Sequence, residues 1–135
     1  MYIQEIDRIS LTILMDNTTD FLLGNSEHAV RPPFVRNEKF VLLPPVAEHG
    51  FSALITIPKS EQGTSISFLF DTGVSENGVI HNADVFGIDI GEIDGIILSH
   101  GHFDHFAGLV NILNRIPSSR QANTTELSTS PGVIF

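Results

Sequence analysis

The sequence predicts a mixed α+β fold, a single sheet covered by helices, and three observations carry that prediction. Short runs rich in Ile, Phe and Leu are separated by Gly, Pro, Asp and Asn breaks. Two segments repeat apolar residues at helical spacing. Their order along the chain is strand, loop, hairpin, helix, strand, helix, which suits a sheet with a helical layer. No internal repeat interrupts the reading, and 135 residues suit one domain.

Each element has a local cause. Ile9 to Met15 alternates Ile9, Leu11 and Ile13 with Ser10 and Thr12, a strand pattern that Asp16-Asn17 ends. Residues 16 to 46 hold four of the seven prolines, Pro32, Pro33, Pro44 and Pro45, and show no period. A loop of that length inside a domain is usually functional or mobile. Phe51 to Ile57 and Thr64 to Phe70 read as a hairpin, separated by Pro58 and the Ser60–Gly63 segment. Asp71-Thr72-Gly73 ends the second strand. Val79, Ile80, Ala83 and Phe86 recur at helical spacing, with Gly87 as the stop. Ile93 to Ser99 reads as a short buried strand, and Gly101 to Phe106 as a turn in which Gly101 leaves room. Leu109, Ile112, Leu113 and Ile116 form one face of a helix that Pro117 ends. Residues 117–135 hold seven Ser or Thr and no period, and are expected to be a divergent, disordered tail behind a folded 1–116.

Composition narrows the function classes. The chain is 41% hydrophobic and 17% charged, which is globular rather than disordered. Its formal charge of −9 repels nucleic-acid backbones and anionic membranes, so neither is expected as a partner. No apolar run approaches the ~20 residues of a membrane span. Met1 to Ser10 has no apolar core of a secretory signal, and a cytoplasmic protein is expected. With no cysteine, disulfides and thiolate ligands are excluded. Any metal must be held by His, Asp or Glu.

Ser99-His100-Gly101-His102-Phe103-Asp104-His105 places three imidazoles and a carboxylate within six residues, after an apolar strand and before a helix. A turn at a sheet edge can aim His100 and His102 to one side and Asp104 and His105 to a neighbouring position. Two such clusters suit a pair of metal ions roughly 3.5–4 Å apart. Zinc, iron and manganese all accept imidazole and carboxylate, and spacing does not choose among them. The competing reading is a His-rich surface turn. His28 and His81 belong to no motif and read as structural or exposed.

The run resembles the H-x-H-x-D-H signature of the metallo-β-lactamase superfamily. Phe70-Asp71-Thr72-Gly73 is similar to its upstream D-T-G element, and with Gly108 the agreement spans about residues 9–116. Leu14-Met15-Asp16-Asn17, Ala47-Glu48-His49-Gly50-Phe51-Ser52 and Gly87-Ile88-Asp89-Ile90 resemble the branch typified by dihydropterin-ribofuranosylaminobenzene-phosphate synthase. The resemblance implies the first half of an αββα sandwich and a metal-dependent hydrolase with two divalent ions, zinc foremost. It implies that His100 and His102 bind one metal, and that Asp104 and His105 bind the other, with Asp104 catalytic beside a bridging water. Asp71 would orient ligands through hydrogen bonds. Asn17, Glu48 and His49 would contact a small phosphorylated or pterin-like substrate.

The sequence then departs from the family. A complete site needs a further His, a bridging Asp and a last His. No His or Asp follows His105, and Glu126 is the lone carboxylate. The expectation is a truncated domain, inactive alone. Two alternatives stand beside an enzyme of this kind. One is a non-catalytic fragment, or half of a split enzyme completed by a C-terminal partner or a second copy. The other is an aspartic protease, for which Asp71-Thr72-Gly73 is also a signature and in which two carboxylates share a proton.

Overall fold

The computed structural model describes residues 5–20, 22–33, 35–36, 38–40, 43–58 and 65–121. Its main sheet has four strands in the order β1 (Ser10–Met15), β4 (Ser52–Pro58), β5 (Ser65–Phe70), β6 (Gly95–Ile97). β1, β4 and β5 are antiparallel neighbours, and β6 joins β5 in parallel. A separate pair, β2 (Val35–Arg36) and β3 (Lys39–Phe40), turns near Glu38, whose φ is +62°. This small hairpin lies within the stretch expected to be irregular; two-residue strands leave no period to read.

Register explains which side chains form the core. Leu54 pairs with Leu69 and Thr12, and Leu69 pairs with Ile96, so these four share one face. A bulge between Ile13 and Met15 lets consecutive Leu14 and Met15 both be buried. Helices α1 (Gly78–Phe86) and α3 (Leu109–Arg115) cover that face, with Val79, Ile80, Ala83, Ile112 and Ile116 packed against Leu14, Leu54 and Leu69. Gly87 closes α1 in the left-handed conformation (φ +75°), its N–H reaching the Ala83 and Asp84 carbonyls.

The opposite face is also apolar, and it is open. Leu11, Ile55 and Phe68 align across the sheet, as do Ile13, Ala53, Phe70 and Ile97. Leu11 is 60% exposed and Ile13 46%.

Two sequence expectations need correction. The strand expected over Ile93–Ser99 is only Gly95–Ile97, and it is half-exposed rather than buried. It is an edge strand, and its inner end is taken by a 3₁₀ turn at Ile90–Glu92 capped by the Asp89 side chain. Residues Gly101–Phe106 are not a plain turn, because Phe103–Phe106 form a short helix, α2. Beyond Pro117 the described residues form one helical turn, α4 (Ser118–Gln121); the rest of the expected tail, 122–135, lies outside the described residues. Among the described residues no helix is long and apolar enough to cross a membrane.

Candidate metal centre

The topology gathers the polar residues at one edge. β5 and β6 run parallel, with Phe70 opposite Ile97, so the segments that leave them lie side by side. This brings Asp71 to Ser99. β1 runs in the same direction and β4 in the opposite one, so the end of β1 and the start of β4 meet the same edge. Asn17, Glu48 and His49 are thereby delivered to it from distant positions in the chain.

Asp71 is the hub. It is fully buried, and its backbone is left-handed (φ +56°), a conformation that Asp tolerates better than most residues. Its Oδ1 accepts the Ser99 backbone N–H at 2.7 Å. Its Oδ2 accepts the Ser99 hydroxyl at 2.7 Å and faces His105 Nδ1 at 2.7 Å. Its backbone is held as well: the N–H donates to Ile97 O at 2.8 Å, and the carbonyl accepts the buried Ser52 hydroxyl at 2.8 Å.

Proton counting fixes two imidazoles. A carboxylate only accepts, so His105 Nδ1 must donate to Asp71. The single Ser99 hydroxyl proton also goes to Asp71, so His100 Nδ1, 2.9 Å from Ser99 Oγ, must donate to that oxygen. In their neutral forms both rings would then carry the proton on Nδ1 and keep the Nε2 lone pair. This is the tautomer in which an imidazole can ligate through Nε2, with an oriented partner behind it.

The rings are neighbours. His100 lies 4.1 Å from His105 and 4.6 Å from His102, centroid to centroid. Asp104 Oδ2 is 3.5 Å from His105 Nε2 and 3.4 Å from His49 Nε2, so it stands between two imidazoles. Two glycines permit this closeness. A Cβ on Gly50 (φ +104°) would fall 2.2 Å from the Asp104 carbonyl oxygen, and one on Gly108 would fall 2.4 Å from Thr72 O. Thr72 ties the two loops together, its N–H donating to His105 O at 2.7 Å.

The structure thus brings together His49, Asp71, His100, His102, Asp104 and His105. It places the other two sequence candidates differently. Asn17 is exposed, with its backbone N–H on Asp16 Oδ1. The Glu48 carboxylate lies at the start of α1, where Oε1 accepts the Ser75 hydroxyl at 2.9 Å. His81 is structural, bonding Pro44 O through Nε2 at 2.9 Å, and His28 is a surface residue beside Glu27. Sequence reasoning missed Ser99, Ser75 and Asn82. The first had a signal, being the polar residue that ends an apolar strand immediately before the His cluster. The other two act across the fold and gave none.

The donor set fits a divalent cation in chemistry: imidazole nitrogens and a carboxylate oxygen, two of the rings braced from behind. Among the described residues, however, no group of three His, Asp or Glu converges closely enough to enclose an ion. The arrangement offers partial sets of donors rather than a closed cage. The geometry also disfavours the protease alternative, because the buried Asp71 carboxylate is occupied by Ser99 and His105 and cannot share a water with a second aspartate.

The family model of the metallo-beta-lactamase superfamily matches residues 50–127, more than half of the chain, and this protein belongs to that superfamily. Among curated proteins it is similar to a 7,8-dihydropterin-6-methyl-4-(beta-D-ribofuranosyl)-aminobenzene-5'-phosphate synthase of Methanocaldococcus jannaschii, 39% identical over 70 residues, 52% of this chain and 23% of that protein. An uncharacterised protein of the same organism is 40% identical over 67 residues, 50% of this chain and 23% of its own length. The match thus spans about a quarter of the length of each of these relatives.

Proposed function

We propose that this chain supplies one half of a two-metal, hydrolase-type site. His100 and His102 would hold one divalent cation, and Asp104 and His105 a second. The observation that carries this reading is the Asp71–Ser99 network, which engages Nδ1 of both His100 and His105 and so makes Nε2 the nitrogen with which each could ligate. Divalent ions held there would supply activation of a water and polarisation of a phosphoryl or carbonyl oxygen. The protein's own contributions are distinct. Asp71 and Ser99 fix the ring orientations, Asp104 sits where it can hold a proton or a ligand, and His49 stands at the exposed rim beside Asp104, where a substrate would meet it.

The likeness to the pterin-related phosphate synthase supports a small phosphorylated or pterin-like substrate, and zinc, iron and manganese all suit the donors. With two donors for each ion, the described residues hold metal weakly, and the chain alone has no appreciable turnover. The partial donor sets also favour a second reading, a non-catalytic fragment or half of a split enzyme completed by another chain.

Equilibrium dialysis of the full chain against Zn²⁺, Mn²⁺ and Fe²⁺ tests the reading. Retention above that of a variant with alanine at positions 100, 102, 104 and 105 is expected. Equal retention by both proteins would overturn it, and turnover of the chain alone at the rate of a full-length relative would overturn the prediction of inactivity.

A further inference from the structure

Glu48 precedes His49 in a segment that meets the site, which would suit a substrate contact, yet its carboxylate is used elsewhere. Oε1 accepts the Ser75 hydroxyl at 2.9 Å, and Ser75 Oγ in turn accepts the Gly78 N–H at 3.0 Å. Oε2 is shielded from solvent and has no hydrogen-bond partner among the described residues. The carboxylate rests directly on Gly78: a Cβ there would lie 2.5 Å from Oε2 and 2.8 Å from Oε1. Gly78 is therefore the residue that admits it.

The start of α1 has one local side-chain cap, the Ser75 hydroxyl on the Gly78 N–H, and it is this hydroxyl that Glu48 holds. The Asn77 side chain at its N-cap does not cap the helix, its Oδ1 accepting from Asn111 Nδ2 at 3.2 Å instead, and the first turn has no acidic residue. First-turn N–H groups have no partner inside a helix, and the positive end of the helix dipole favours a nearby anion. Glu48 supplies that anion from 30 positions upstream of Gly78.

The same segment is pinned along its length. His81 Nε2 bonds Pro44 O. Buried Asn82 accepts the Val46 N–H at 2.8 Å, and its amide group donates to Val46 O at 2.9 Å and to Leu14 O. The Glu48 N–H reaches Asp16 O at 3.2 Å. One residue beyond this anchor, His49 Nε2 lies 3.4 Å from Asp104 Oδ2 although its side chain is 76% exposed. Two residues beyond it, Gly50 lies against the Asp104 carbonyl. A surface imidazole with so little packing of its own takes its position from the backbone beneath it.

We propose that Glu48 is a positioning residue: by clamping the 44–50 segment onto the start of α1, it holds His49 over Asp104 at the rim of the site. The functional meaning rests on the proposed reading of that rim as the substrate side. The clamp itself is a property of the metal-free chain.

The test is NMR of the full chain, metal-free and isotope-labelled, reading the NOE between the His49 ring and Asp104 and the NOEs between His100 and His105. Glu48→Ala is expected to abolish the first and keep the second. Glu48→Gln, whose amide oxygen still accepts the Ser75 hydroxyl, is expected to restore the first. A His49–Asp104 NOE intact in Glu48→Ala would overturn the proposal, as would its loss together with the His100–His105 NOEs. Should Glu48→Ala fail to fold, Ser75→Ala decides. The clamp predicts a weakened His49–Asp104 NOE in that variant, and an unchanged one refutes it. Addition of Mn²⁺ as a paramagnetic probe separates the two claims. If it leaves the His100 and His105 signals unbroadened, the metal reading fails while the clamp result stands.

Discussion

Asp71→Ala is the perturbation whose effect the structure specifies most fully. The substitution removes an acceptor that takes three hydrogen bonds of 2.7 Å, from the Ser99 N–H, the Ser99 hydroxyl and His105 Nδ1. A buried donor left without a partner costs about 1–3 kcal/mol. Ser99 and His105 are only partly buried and can recruit water, so the low end applies and the three bonds amount to about 3 kcal/mol. The backbone at this position is left-handed, which costs alanine roughly 1 kcal/mol more. The expected loss is about 4 kcal/mol, a large fraction of the 5–15 kcal/mol by which domains are stable. Asp71→Asn keeps the backbone tolerance and one acceptor oxygen but turns an amide group toward a donor, so about 2 kcal/mol is expected. Urea unfolding followed by far-UV circular dichroism measures both, with the slope checked for unchanged compactness. If Asp71→Ala unfolds within about 1 kcal/mol of the parent, the hub role assigned to Asp71 is wrong.

Further outcomes follow from single contacts. Ser99→Ala is expected to free His100 Nδ1 from its acceptor, so the ring ¹⁵N shifts move toward a mixture of tautomers, while Ser99→Thr keeps the parent pattern; identical shifts in Ser99→Ala would refute the relay. Gly108→Ala places a methyl 2.4 Å from Thr72 O, and Gly50→Ala places one 2.2 Å from Asp104 O. Each should cost about 2–3 kcal/mol in the same urea experiment, and a neutral result at either would contradict the close approach. Replacing Leu11 and Ile13 together by Thr removes exposed apolar area from the open sheet face. Sedimentation velocity should show less self-association than the parent, and no difference would mean that this face is not the sticky surface.

The site was legible where its chemistry is local and obscure where it depends on register. His100, His102, Asp104 and His105 sit within six residues, so their proximity required no tertiary information, and Asp71 announced itself by ending an apolar strand. Ser99 gained its part only because β6 runs parallel to β5 with Ile97 opposite Phe70, a pairing no single segment encodes. Glu48 and His49 looked like one feature in the sequence, yet the chain bends at His49 and the two side chains reach different partners. One is shielded at a helix start and the other exposed beside Asp104. The main hairpin and both long helices were visible through their periods. β2 and β3 were not, because two residues make no period. β6 came out shorter than its apolar run, since Ile93 is buried by the 3₁₀ turn rather than by strand pairing.

Zinc titration of the ¹⁵N-labelled full chain, observed at the imidazole nitrogens, examines the central assertion most directly. Zn²⁺ should shift Nε2 of His100, His102 and His105 while the Nδ1 protons of His100 and His105 stay in place on Ser99 and Asp71. Zinc appearing at Nδ1 of either ring, or leaving all three imidazoles unmoved, would contradict the account.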